Sequence, residues 1–67
     1  MENLRKYYSQ LERGEKMKFC MEVADALDMS TEAVIRWCQG RGKTKDEKAI
    51  EVLSKLSGIP VEMIFAK

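Results

Sequence analysis

The sequence predicts an all-α fold, a compact bundle of about five short helices. Three observations carry that expectation. Apolar residues recur at three- and four-residue spacing in successive segments, and glycine, proline and capping residues punctuate those segments at helical lengths. Nowhere do polar and apolar residues alternate with period two over a useful length, so strands are not expected. With 67 residues there is room for one domain spanning 1–67. A chain of that size buries only about 60% of its unfolded surface, and helices suit it because their contacts are local.

The first element is a helix over about 2–13. Leu4, Tyr7, Tyr8 and Leu11 share one side of ENLRKYYSQLER. Tyr7 and Tyr8 are adjacent, so one is expected to pack and the other to stay exposed. Gly14 interrupts the pattern. A second helix runs through EKMKFCMEVADALD, with Cys20, Val23, Ala24 and Leu27 on one face and Phe19 beside Val23.

Asp28-Met29-Ser30 reads as a tight turn, because Asp tolerates left-handed backbone better than most non-glycine residues. Ser30 has the hydroxyl of a good N-cap, and Glu32 places negative charge in the first turn that follows. The third helix then runs from Thr31 to about Gln39, with Ala33, Val34 and Trp37 inward and Gly40 as its stop. RGKTK is a basic loop.

Thr44 followed by Glu47 fits a capping box for a helix over about 45–57. Its stripe is Ile50, Leu53 and Leu56, flanked by Ala49 and Val52, and Gly58 ends it. Pro60 opens a last helix over about 60–66, whose Val61, Ile64 and Phe65 are expected to cover the core.

Composition narrows the function classes. Hydrophobic residues make up 45% of the chain and charged residues 34%, the balance of a globular unit. No apolar run approaches the roughly 20 residues that cross a bilayer. The segment MENLRKYYSQLERGEK is charged throughout with no apolar signal core, which predicts a cytoplasmic setting. Cys20 and Cys38 form no CxxC pair and the chain has no histidine, so no zinc site or other cofactor is expected. The two cysteines read as small, half-buried thiols in a reducing compartment. There is no nucleophile–base pair, no glycine-rich phosphate loop and no carboxylate cluster. An enzyme is therefore not expected, and neither is a small-molecule substrate.

The distinctive piece lies at about 20–40, two short helices around a tight turn. A helix-turn-helix needs a small residue in its first helix where the second crosses close above, and Ala24 supplies it. Val23, Leu27, Met29, Val34 and Trp37 supply the apolar lock. The outward side of the second helix is then Thr31, Glu32, Ile35, Arg36 and Gln39. Such a face can enter a major groove with its N-terminal half nearest the base edges.

Those residues resemble the phage repressor and Cro (XRE-type) family of helix-turn-helix domains. The pattern of alanine, leucine, turn, Ser/Thr, valine and large hydrophobe stands here as Ala24, Leu27, Asp28-Met29, Ser30-Thr31, Val34 and Trp37, with Gly40 after the second helix. The stretch IEVLSKLSGIPVEMIF is similar to the closing helices of the family, so the likeness covers about Phe19 to Phe65. Two positions differ: the family's turn glycine is Asp28, and a backbone-contacting glutamine at the start of the first motif helix is Cys20.

The resemblance implies a lambda-repressor-like domain that binds double-stranded DNA in a sequence-specific way, as a transcriptional regulator and as a homodimer. By position it assigns base reading to Thr31, Glu32, Arg36 and, for a thymine methyl, Ile35. Ser30, Gln39, Arg41 and Lys43 would hold phosphates. Lys45, further along the basic loop, joins them as a phosphate-binding candidate.

Charge placement gives an independent line. The net charge is only +1, so binding to a polyanion must come from uneven placement. Arg36, Arg41, Lys43, Lys45 and Lys48 are opposed locally only by Asp46 and Glu47, whereas the first motif helix carries Glu22 and Asp25. Arginine on guanine is the commonest specific contact, which favours Arg36 for sequence reading. Glu32 serves equally as a helix-dipole partner or as an acceptor from cytosine. The alternative function is a protein-interaction module without DNA binding, docking through Ile35 or the Tyr7/Tyr8 surface. For a dimer, the exposed tyrosine and the last helix around Met63 and Phe65 are the expected contact.

Overall fold

A computed structural model describes residues 3–66. They form four α-helices: α1 Leu4–Ser9, α2 Arg13–Leu27, α3 Thr31–Cys38 and α4 Glu47–Ser57. No strand occurs among the described residues, and none of their helices is long and apolar enough to cross a membrane. The central helix α2 packs against both α3 and α4, and α1 lies across α3 and α4.

The fifth helix is a correction. Only Val61–Met63 is helical after Pro60, as one 3-10 turn. The segment closes with short bonds, Met63 N–H to Pro60 O at 2.9 Å and Ile64 N–H to Val61 O at 3.4 Å. Six residues after a proline give too few i→i+4 bonds to offset the cost of nucleating an α-helix. Val61 is consequently 48% exposed, while Ile64 covers the core as expected and is joined there by Ile59, a linker residue outside every predicted stripe.

The first two helices also differ from expectation. α1 is six residues long, and its expected start at residue 2 lies outside the described residues. It stops where Gln10 and Leu11 turn back to the carbonyls of Tyr7 and Tyr8. Gly14 does not interrupt the chain; it lies in the first turn of α2. Glycine in a helix costs only about 1 kcal/mol, and a 15-residue helix tolerates it.

Capping accounts for two more corrections. Ser30 is the N-cap of α3, with extended φ −75° and ψ 148°, but its side chain makes no capping bond. Thr44 does not cap α4. Its hydroxyl accepts from Asp46 N–H at 3.1 Å, and Asp46 in turn caps the helix by accepting from Lys48 N–H at 3.0 Å. Two successive side-chain turns therefore carry the loop into α4.

The core is made from Leu4, Phe19, Cys20, Val23, Ala24, Val34, Cys38, Leu53, Ile59 and Ile64. Leu56, expected in the α4 stripe, is 38% exposed, because Ala49 and Leu53 set the axis of that face and Leu56 falls to its edge. The thiols are fully buried, with Cys20 at 0% and Cys38 at 1% exposure, rather than half-buried. Both tyrosines pack on the core instead of dividing between core and solvent. The Tyr7 ring is tilted against Phe19 with centroids 5.5 Å apart, and Lys16 Nζ stands 5.4 Å from the centre of the Tyr8 ring. A short helix lying across two others has core on more than one side, which accommodates adjacent aromatics.

α2 and α3 are joined by a turn of three residues, 28–30. Asp28 has φ 53° and ψ 52°, the only non-glycine left-handed residue among those described. Met29 N–H bonds to Ala24 O at 3.0 Å and Asp28 N–H to Asp25 O at 3.3 Å. This paired closure satisfies the last carbonyls of α2 while reversing the chain. Left-handed backbone costs roughly 1–2 kcal/mol for an ordinary L-residue and more for a β-branched one. Asp28→Val is therefore expected to lower unfolding stability by about 1–2 kcal/mol, while Asp28→Gly stays within about 0.5 kcal/mol of the native chain. Urea denaturation of both variants checks this, and equal losses would remove backbone strain as the cause.

Candidate functional site

The residues singled out from the sequence lie on α3 and the loop that follows it. Along α3, Val34 and Cys38 are buried at i, i+4 spacing, and Ala33 and Trp37 are half-buried beside them. On the other side Glu32, Arg36 and Gln39 are exposed, spaced four and three residues apart, which makes one outward stripe. The inward side is fixed by the fully buried Val23 and Val34 and the nearly buried Ala24, all in one core cluster. Burying one such valine contributes about 1.5–3 kcal/mol, enough to hold the rotation of an eight-residue helix.

Thr31 is half-buried at the start of α3, beside the exposed Ser30. Ile35 is not on the free face: it is half-buried and packs on the core, so its side chain is only partly available to any partner. That position lies between the stripe and the core, and the hydrophobic contact takes most of it. The same packing weakens the Tyr7/Tyr8 surface as a docking site, since both rings rest on the core. Met63 and Phe65 are likewise half-buried against it.

The chain leaves α3 through a second paired closure. Gly40 N–H bonds to Trp37 O at 3.1 Å and Arg41 N–H to Arg36 O at 3.0 Å, with Gly40 left-handed at φ 77°. This stop turns Arg41, Lys43 and Lys45 outward, and all are exposed. Gly42 lies under the stem of Arg36: a Cβ there would sit 3.6 Å from Arg36 Cδ and 3.7 Å from its Cγ. The candidate base-reading arginine and the candidate phosphate-binding loop are thereby brought together. Glu32 and Arg36 occupy successive turns on the same stripe, while Gln39 stands at the C-cap.

A cleft of about 620 Å³ opens beside this loop, between the start of α1, the residues from Trp37 to Lys43, and the C-terminal turn. Among the described residues, Arg5, Arg41 and Lys43 are its charged lining, and none of those lining it is a carboxylate. Arg5 is the residue that sequence reasoning missed. Nothing in the helical periodicity of ENLRKYYSQLER distinguishes it from an ordinary solvated cation.

Behind α3, the Tyr8 phenol and both thiols lie close together in the core. Burial, and then the neighbouring Cys20, push the Tyr8 phenol up to about 12. Burial pushes Cys38 well above the usual thiol range, with Cys20 adding to the shift. Burial also raises Cys20, although Tyr8 and Cys38 beside it pull in the other direction. These groups stay neutral at physiological pH and serve as packing.

Comparison with protein families, with curated proteins and with solved structures finds no match. The likeness to the phage repressor type therefore rests on the residues themselves.

The thiols provide a check on the packing behind α3. Native protein is expected to resist thiol reagents at neutral pH, and the unfolded chain to release both cysteines at once. In the unfolded chain thiols ionise from about pH 8.5, whereas the native ones keep their protons. Their contribution to stability is thus complete below that pH and is lost as pH rises through the native values. Unfolding midpoints measured from pH 7 upward should fall above about pH 8.5, less steeply in Cys38→Ala. Rapid labelling of the native chain, or the same slope in that variant, would contradict the buried arrangement.

Proposed function

We propose that α2, the turn at Asp28 and α3 form a helix-turn-helix of the phage repressor kind, and that the chain binds double-stranded DNA through α3 as a transcriptional regulator. The observation that carries this reading is the outward stripe Glu32–Arg36–Gln39, followed in the next loop by the exposed cations Arg41, Lys43 and Lys45. An eight-residue helix is about 12 Å long, comparable with the width of a major groove. Arg36 is the base-reading residue, with Thr31 and Glu32 on the N-terminal turn beside it. Ser30, Gln39, Arg41, Lys43 and Lys45 hold the backbone. Ile35 contributes at most its exposed edge to a thymine methyl.

Charge supports a local rather than a global interaction. At a net charge of +1 the chain has little long-range pull on a polyanion, so affinity must come from the cations grouped at the end of α3. A single small domain of this kind gives modest affinity, and a homodimer on two half-sites is the form in which it would act. The exposed Leu56 and Val61, rather than Met63 and Phe65, offer apolar surface for that contact.

One observation favours a second reading. Met17 and Met21, a helical turn apart on α2, are each 55% exposed and suit an adaptable protein contact. A module of that kind would dock a protein through α2 and ignore DNA.

Titration of fluorescent mixed-sequence duplex separates the two. Neutralising phosphates with Arg41, Lys43 and Lys45 contributes about −2.7 per protomer to the slope of log affinity against log salt, so binding weakens by about 40-fold or more for a fourfold rise in salt. In selection from a randomised duplex pool, Arg36→Ala is expected to relax sequence preference by about 1–3 kcal/mol. Lys43→Ala should weaken all sequences alike and reduce the salt slope by about 1. No binding at low salt would overturn the DNA reading, and equal sequence-blind losses in both variants would remove Arg36 from base reading.

A further inference from the structure

We propose that Arg5 of α1 is a further phosphate-binding residue, so that the first helix grips the duplex backbone together with the loop after α3. This rests on the DNA reading above and extends it to an element that reading leaves out. Arg5 is exposed, and its side chain lies across Gly40. A Cβ on Gly40 would meet Arg5 Cδ at 3.0 Å and Nε at 3.5 Å. The bare glycine therefore acts as the seat on which the arginine stem crosses to the end of α3. The same glycine supplies the left-handed stop of that helix, so one residue both ends α3 and admits Arg5.

The start of α1 is held in place. Leu4, 1% exposed, is part of the core, and its N–H bonds to Ile64 O at 2.9 Å. Asn3 Nδ2 donates to Ala66 O at 2.6 Å, and the Asn3 side-chain oxygen accepts from Lys6 N–H at 2.8 Å. Arg5 thus leaves a fixed backbone, which reduces the ordering entropy its engagement would cost.

Arg5, Arg41 and Lys43 share one cleft, with no acidic residue lining it among the described residues. In the free protein the carbonyl end of α3 offsets part of their mutual repulsion. An anion laid along the cleft removes more of it, and a guanidinium can bind two phosphate oxygens at once. The duplex backbone is the occupant the geometry favours over a single free anion. Beyond the cleft the exposed charge continues through Lys45, and only an extended polyanion meets all of these cations together.

The test uses the full chain, a fluorescent mixed-sequence duplex and a salt series, with Arg5→Gln, Arg5→Lys and Lys55→Gln compared with the native protein. Lys55 is exposed in the last turn of α4 and does not line the cleft. Arg5→Gln is expected to weaken binding about 3- to 10-fold on all sequences at low salt and to reduce the salt slope by about 1. Arg5→Lys should retain the slope, and Lys55→Gln should behave as native. A partly unfolded variant loses active protein without changing the slope, so a stability effect alone cannot imitate the result. A native slope in Arg5→Gln, or an equal drop in Lys55→Gln, overturns the assignment while leaving the DNA reading intact. Failure of the native chain to bind duplex overturns both. The Arg5 Nε–H resonance adds a second readout. If it responds to inorganic phosphate but not to duplex, the cleft is a small-anion site and the assignment also falls.

Discussion

The structure depends on the turn at Asp28, where one left-handed residue ends α2 and leads into α3 packed against it. The bond from Met29 N–H to Ala24 O closes the turn on a residue that is itself buried in the core. A residue that refused positive φ at 28 would redirect α3. Asp accepts that backbone at modest cost, with glycine the easier choice. Once the turn is made, Val34 and Cys38 have one place to go, and the rotation of α3 follows from their burial. The outward stripe is what remains.

Glycine then sets the periphery as Asp28 sets the centre. Gly40 ends α3 in left-handed backbone, and its missing side chain leaves room for the Arg5 stem. Gly42, without unusual backbone, lies under Arg36. At Gly40 the absence of a Cβ lets the Arg5 stem lie across the chain, whereas Gly42 is close to Arg36 with room for an ordinary contact. Cations that would otherwise sweep through solvent are gathered at one end of the molecule. A net charge near zero is compatible with three cations sharing one cleft.

Much of the helical content was legible because burial in α2, α3 and α4 follows the 3.6-residue period. Val23, Val34 and Leu53 were each readable as core, and Asp28 and Gly40 as chain reversals. What escaped was decided by tertiary context. Ile59 sits between Gly58 and Pro60, where periodicity has no meaning, yet the closing segment folds it inward. Asp46 displaced Thr44 as the cap because the loop took an extra side-chain turn before the helix began. Ile35 looked free on a helical wheel, but the neighbouring core extends far enough to hold it. Arg5 could not be read at all, since its meaning comes from Gly40, a residue remote in sequence and close in space.

Function turns on which side of the molecule meets a duplex. The most direct measurement is an amide chemical-shift map of labelled protein with added duplex DNA. Shifts concentrated at Glu32, Arg36 and Gln39, continuing through Arg41 to Lys45, are the predicted result. A map centred on Met17 and Met21, with the α3 stripe unmoved, would contradict it.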